Sequence, residues 1–107
     1  ERLRGLPVIT PDLGPEGGHV FHQYTLRTPR RDALQAALKA AGIASAIYYP
    51  IPLHRQAPFR DACAGLTLPV TEQLCTEVLS LPMYPRLTDA LLDEVCGVIR
   101  TFFGEPA

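Results

Sequence analysis

The sequence predicts an α+β fold in which three short strands form a small, mainly antiparallel sheet covered by helices. Three observations point there. Residues 19–27 alternate, with Val20, His22, Tyr24 and Leu26 on one side and Phe21, Gln23, Thr25 and Arg27 on the other, the period of a strand. Leu34, Ala37, Leu38 and Ala41 recur at i, i+3, i+4 and i+7, the apolar face of a helix. A second such stripe, Leu91, Leu92, Val95, Cys96, Ile99 and Phe102, lies near the C-terminus. Strands and helices segregated in this way usually build one sheet, with two main helices on one face.

Each element has its own warrant. Residues 1–18 hold Pro7, Pro11, Gly14, Pro15, Gly17 and Gly18, a density that forbids a long regular element and reads as a connecting arm. The remainder, residues 19–107, reads as one small domain. Aromatic and β-branched content supports the strand at 19–27. Thr28 is placed to cap the first helix, with Pro29 at its first position and Gly42 closing it. Residues 43–49, rich in isoleucine and tyrosine, read as a second strand that must stop near Tyr49, because Pro50 and Pro52 lack backbone donors. A short helix is expected around residues 58–64, ended by Gly65, and another capped by Thr71 across 72–77. Residues 78–81 form the third strand, terminated by Pro82. Thr88 caps the last helix, Asp89 suits its first turn, and Gly104 with Pro106 marks its end.

Composition excludes several classes of function. A chain of 107 residues allows one compact core, and 47% apolar with 20% charged residues is ordinary for a globular protein. The net charge of −1 and the lack of a basic patch argue against nucleic acid; Arg27, Arg30 and Arg31 suit a turn-to-helix junction equally well. Nothing approaches the roughly 20 apolar residues of a membrane span. Cys63, Cys75 and Cys96 match neither a zinc pattern nor a disulfide framework, and read as packing residues in a reducing cytosol. Beginning at Glu1 rather than methionine, the chain reads as starting inside something larger.

Chemistry concentrates in Tyr48-Tyr49-Pro50-Ile51-Pro52-Leu53-His54-Arg55-Gln56. Two prolines stiffen the loop, and phenol, imidazole, guanidinium and amide groups follow, a set suited to hydroxyls, carboxylates or phosphates. His54 reads either as a ligand contact or as a solvent-facing turn residue. Tyr48 and Tyr49 should point to opposite faces, one packing and one free. His22, on an apolar strand face, reads as a hydrogen-bonded core residue or as a ligand group. No nucleophilic triad and no glycine-rich phosphate loop is visible, since Gly17-Gly18 precedes a strand instead of following one. His19 and His22 point to opposite strand faces and make no metal pair. Lys39, the one lysine, sits mid-helix beside the apolar face and reads as solvated.

The ordered set of segments resembles the C-terminal small domain of DegT-type nucleotide-sugar aminotransferases. The similarity lies in His19-Val20-Phe21-His22-Gln23-Tyr24, in Arg31-Asp32-Ala33-Leu34 with Leu38 and Gly42-Ile43, and in the tyrosine-proline-x-proline-x-histidine loop Tyr49 to His54. Leu68-Pro69-Val70-Thr71-Glu72, Leu79-Ser80-Leu81-Pro82-Met83 and the helix through Val95 to Phe103 complete it. The resemblance implies a fold-type-I enzyme whose pyridoxal phosphate is held by a lysine of a large domain that this chain lacks, residues 1–18 being the arm from that domain. It implies a nucleotide-linked keto sugar as acceptor, glutamate as the common amino donor, a cytoplasmic homodimer and a place in cell-surface polysaccharide biosynthesis. No catalytic residue and no covalently held cofactor is expected in this chain. His54, Tyr49, His22 and Gln56 are the expected substrate-binding residues, and the loop wording is most similar to enzymes acting at a 3-keto position. The competing readings are a stand-alone small-molecule-binding or dimerisation module without catalysis, and a purely structural domain with both His22 and His54 buried.

Overall fold

Leu26 and Leu79 lie opposite each other at the centre of the molecule, and both are fully buried. They belong to β1 (Tyr24–Arg27) and β2 (Val78–Leu81), an antiparallel pair in the register Tyr24↔Leu81, Thr25↔Ser80, Leu26↔Leu79, Arg27↔Val78. The computed structural model describes residues 1–15 and 18–104; Gly17 and Pro106, to which the sequence assigns a part in the arm and a helix stop, lie outside the described residues. Side chains alternate across the pair, so Thr25 and Ser80 occupy the other face, where their hydroxyls are 2.8 Å apart.

The expected sheet has three strands, and the described residues form two. Residues 43–49 contribute a single bridge, Ala46 to Ser80, with Ser80 N–H donating to Ala46 C=O at 2.7 Å and Ala46 N–H donating back at 3.0 Å. Ala44, Ser45 and Ala46 offer little side chain to pack on a pleated surface, and Pro50 cannot extend the ladder. On the other edge Ile9 of the arm bridges Arg27. The first strand is also shorter than the alternation predicts and starts at Tyr24. Its register would set Gln23 against Pro82, whose ring fixes φ near −65°, short of the roughly −140° of a paired antiparallel strand. Phe21 then turns into the left-handed region at φ 45°, with its ring stacked on His19.

Helix α1 (Arg31–Ala40) begins later than the Thr28-Pro29 signal predicts. Thr28 is still engaged by the ladder, its N–H bonded to Glu77 C=O, and its hydroxyl accepts from Arg30 N–H in the turn that precedes the helix. The exit agrees with the sequence. Gly42 at φ 77° lets its own N–H reach Lys39 C=O, while Ile43 N–H reaches Leu38 C=O. Residues 58–64 make turns and no helix, because they are largely exposed and a short helix needs a buried face. A 3₁₀ turn occurs instead at Leu53–Arg55. Helix α2 (Pro69–Glu77) starts two residues before the expected Thr71 cap, with Pro69 at its first position and Leu68 as the flanking residue. Helix α3 (Asp89–Phe102) is capped as predicted, Thr88 Oγ1 accepting from Leu91 N–H.

Helices α1 and α3 pack together over the Leu26–Leu79 face. Leu34, Leu38, Val95 and Ile99 supply their side of the core, and Leu3 and Leu6 of the arm close it. Leu91, counted in the apolar stripe, is exposed at the helix entrance.

Candidate functional site

The polar residues singled out by sequence fall into two groups in space. The first lies around an open cleft of about 390 Å³ at the β2 edge, lined by His22, Ser45, Tyr48, Ser80 and Met83 among others. His22 is exposed there, not packed in the core: the strand has not yet begun at residue 22, so the apolar-face argument does not reach it. Tyr48 and Tyr49 also depart from expectation. Neither is in a strand and both are exposed, with their rings edge to face at 5.8 Å.

The second group is the far end of the same loop. His54 occupies the 3₁₀ turn with its side chain only 4% exposed, which excludes the solvent-facing reading. Its Nε2 lies 2.9 Å from Glu72 Oε1. Arg55 Nε also approaches Nε2, at 3.2 Å, but one nitrogen cannot donate and accept at once. The shorter contact to a carboxylate assigns the proton to Nε2, with Arg55 Nη2 donating to the same Oε1 at 3.1 Å. His54 Nδ1 is then buried without a hydrogen-bond partner among the described residues. Gln56 Nε2 donates to Ile51 C=O at 3.2 Å and closes the loop on itself.

Glu72 is the residue that sequence reasoning missed. Its Oε1 also accepts from Leu68 N–H at 3.2 Å, at the entrance to α2. The sequence signals were an acidic residue in a first helical turn and a place in the Leu68–Glu72 segment of the resemblance, and nothing in the spacing of 54 and 72 announces a contact across 18 positions. The His54 hydrogen bond, then the Leu68 amide and Arg55, lower its carboxyl from 4.5 to about 2. A folded-state value below the unfolded one stabilises the fold above pH 4.5, and that contribution is lost as the pH falls towards 2. In urea unfolding over that window, the parent is expected to lose stability more steeply than Glu72→Gln; equal slopes would remove Glu72 from the acid response.

A larger cleft, about 530 Å³, opens between the arm, the sheet and α3, with Phe21, Tyr24, Met83 and Cys96 in its wall. Burial raises the Tyr24 hydroxyl and the Cys96 thiol above their ordinary values, so both stay protonated at neutral pH and neither is an activated nucleophile. Lys39 is exposed on α1. The donors around the two clefts include no lysine, so they do not fit covalent attachment of a pyridoxal group. No described helix is long and apolar enough to cross a membrane.

Comparison with known proteins covers almost the whole chain. A 3-aminotransferase of Acidithiobacillus ferrooxidans named for UDP-N-acetyl-3-dehydro-α-D-glucosamine is 47% identical over 94% of this chain and 27% of its own length. A pleiotropic regulatory protein of Geobacillus stearothermophilus is 46% identical over 96% of this chain and 28% of its own. The crystal structure of a DegT/DnrJ/EryC1/StrS aminotransferase from Brucella abortus superposes with a TM-score of 0.86 at 42% identity, covering 97% of this chain and 28% of that one. The chain thus spans a little over a quarter of the length of these relatives. The family model, described as the DegT/DnrJ/EryC1/StrS aminotransferase family, matches residues 1–100. The chain belongs to the DegT/DnrJ/EryC1/StrS aminotransferase family.

Proposed function

We propose that this chain is the small domain of a pyridoxal-phosphate-dependent aminotransferase, one that moves an amino group from glutamate to a keto sugar carried on a nucleotide. The reading further takes the sugar to be aminated at a 3-keto carbon, by a cytoplasmic homodimer serving cell-surface polysaccharide synthesis. The relative from Acidithiobacillus, named for a 3-dehydro UDP-sugar, supports the acceptor class. The cofactor would supply the electron sink, held by residues outside this chain, and the chain alone would be inactive. The residues here bind and orient the acceptor.

The observation that carries the reading is the stiffened loop. It presents the exposed phenol of Tyr49 beside Tyr48, which lines the cleft shared with the exposed imidazole of His22. In this reading Tyr49 and His22 contact the sugar or its phosphates, while His54 and Gln56 hold the loop that carries Tyr49. Phenol and imidazole suit the hydroxyl and phosphate oxygens of such a substrate. In the full-length protein, Tyr49→Phe is expected to raise the nucleotide-sugar KM about tenfold, the loss of roughly one hydrogen bond of about 1.4 kcal/mol. The amino-donor KM should not change. Unchanged kinetics for both substrates in Tyr49→Phe and His22→Ala would sink the proposal.

The second reading is a stand-alone small-molecule-binding or dimerisation module that uses the same loop without catalysis; the name of the Geobacillus relative, a pleiotropic regulatory protein, supports a regulatory role and nothing finer. Steady-state transamination by the full-length protein separates the two.

A further inference from the structure

We infer that Glu72 is a positioning residue, clamping the loop that carries Tyr48 and Tyr49 to the first turn of α2 through His54 and Arg55. At its start the loop is tied by Ile47, half-buried against the core, and by the Ala46–Ser80 bridge, but beyond them it has no buried apolar side chain. Tyr48, Tyr49, Ile51 and Leu53 are each 48–67% exposed, and its one deeply buried side chain is the His54 imidazole. Burial of a polar ring costs free energy unless it is bonded, and the Nε2 contact to Glu72 is the bond that offsets that cost here. Nδ1 has no hydrogen-bond partner among the described residues, which leaves the carboxylate as the imidazole's one acceptor there.

One carboxylate oxygen gathers three partners from separate stretches of chain: His54 Nε2 and Arg55 Nη2 from the loop, and the Leu68 amide from the α2 entrance. Pro50 and Pro52 fix φ between this anchor and the tyrosines, so a displacement at His54 is carried to Tyr49 instead of being absorbed. Gln56 holds the loop's shape through Ile51 C=O but does not tie it to another element. Glu72 fixes the His54 end of the shaped loop, as the Ala46–Ser80 bridge fixes the other. Its consequence for substrate rests on the function proposed above, whereas the clamp stands on these contacts alone.

Amide exchange in the full-length protein tests the clamp directly. Arg55 and Gln56 N–H close the 3₁₀ turn on the Pro52 and Leu53 carbonyls. In Glu72→Ala their exchange is expected to accelerate about tenfold or more while β1, β2 and α3 keep their rates, because the opening is local. Glu72→Gln keeps an acceptor for the imidazole and the Leu68 amide, and should restore most of the protection. If Glu72→Ala does not fold, His54→Asn reports the same loosening from the loop side. Unchanged exchange, or acceleration spread over β1, β2 and α3, overturns the clamp.

The kinetic arm separates clamp from function. Glu72→Ala should raise the nucleotide-sugar KM about tenfold, the scale of one lost hydrogen bond, with kcat at saturating sugar and the amino-donor KM nearly unchanged. Loosened exchange with an unmoved sugar KM keeps the clamp and sinks the substrate-facing role of the loop. A raised KM in Tyr49→Phe with unmoved exchange in Glu72→Ala does the reverse.

Discussion

Leu79→Ala is expected to lower the unfolding free energy by about 2–5 kcal/mol, the range for a buried leucine replaced by alanine. Leu79 is fully buried opposite Leu26 in the middle of a four-residue strand, and shares one core with Leu34, Leu38 and Ile99. Leu79 is paired to Leu26 on one side, and its neighbour Ser80 is bridged to Ala46 on the other. A backbone held at both edges cannot move inwards to fill the space that a lost isobutyl group leaves, which puts the cost in the upper part of that range. Leu91→Ala is the matched control: same residue type and same change, but at an exposed position at the start of α3, with an expected cost of about 1 kcal/mol or less. The denaturant midpoints of the two variants, at unchanged slope, give the comparison. Equal losses would mean that the Leu26–Leu79 layer is not the core.

That layer was readable from sequence because it rests on short-range periodicity. Leu34 and Leu38 on one helical face, Val95 and Ile99 on another, and the bounds of β2 before Pro82 all follow from spacing and from one proline. The errors have a different origin. Three of them depend on a partner distant in sequence. The alternation at 19–23 is real, but its register meets Pro82 and the ladder cannot continue. Thr28 has the chemistry of a cap, yet Glu77 claims its N–H for the sheet. Residues 43–49 have strand composition and find only Ser80 to pair with.

The site shows the same division. The proline-stiffened loop and its polar side chains were visible as a local cluster. The burial of His54 and the exposure of His22 were not, because a contact with Glu72 decides the first and the late start of β1 decides the second. Leu3 and Leu6 reaching the core from a proline- and glycine-rich arm had no periodic signal at all.

Arg31 carries the other large effect. Its side chain is buried at the start of α1, and Nη1 donates to Cys75 C=O at 3.1 Å and to Val78 C=O at 3.3 Å. Both acceptors need it. Cys75 lies in the last turn of α2, where carbonyls have run out of helical partners, and Val78 opens β2 on the edge away from β1. A guanidinium there also meets the negative end of the helix. The Asp32 carboxylate bonded to Nε is exposed and adds little. Arg31→Met keeps the aliphatic stem and removes the fork, leaving two carbonyls without that donor; at about 1–3 kcal/mol per orphaned group, the expected loss is about 2–6 kcal/mol. Arg31→Lys should recover only part of it, because an ammonium on a flexible stem does not reproduce the planar fork. Full stability in Arg31→Met, measured by urea unfolding, would mean that desolvating the guanidinium costs as much as its bonds return. Arg31 fixes the C-terminal end of α2 and Glu72 ties its N-terminal end to the loop, so the two variants should part company in function. Arg31→Met should cost global stability and leave the Arg55 and Gln56 amides protected until the whole fold opens. Glu72→Ala should release those two amides first.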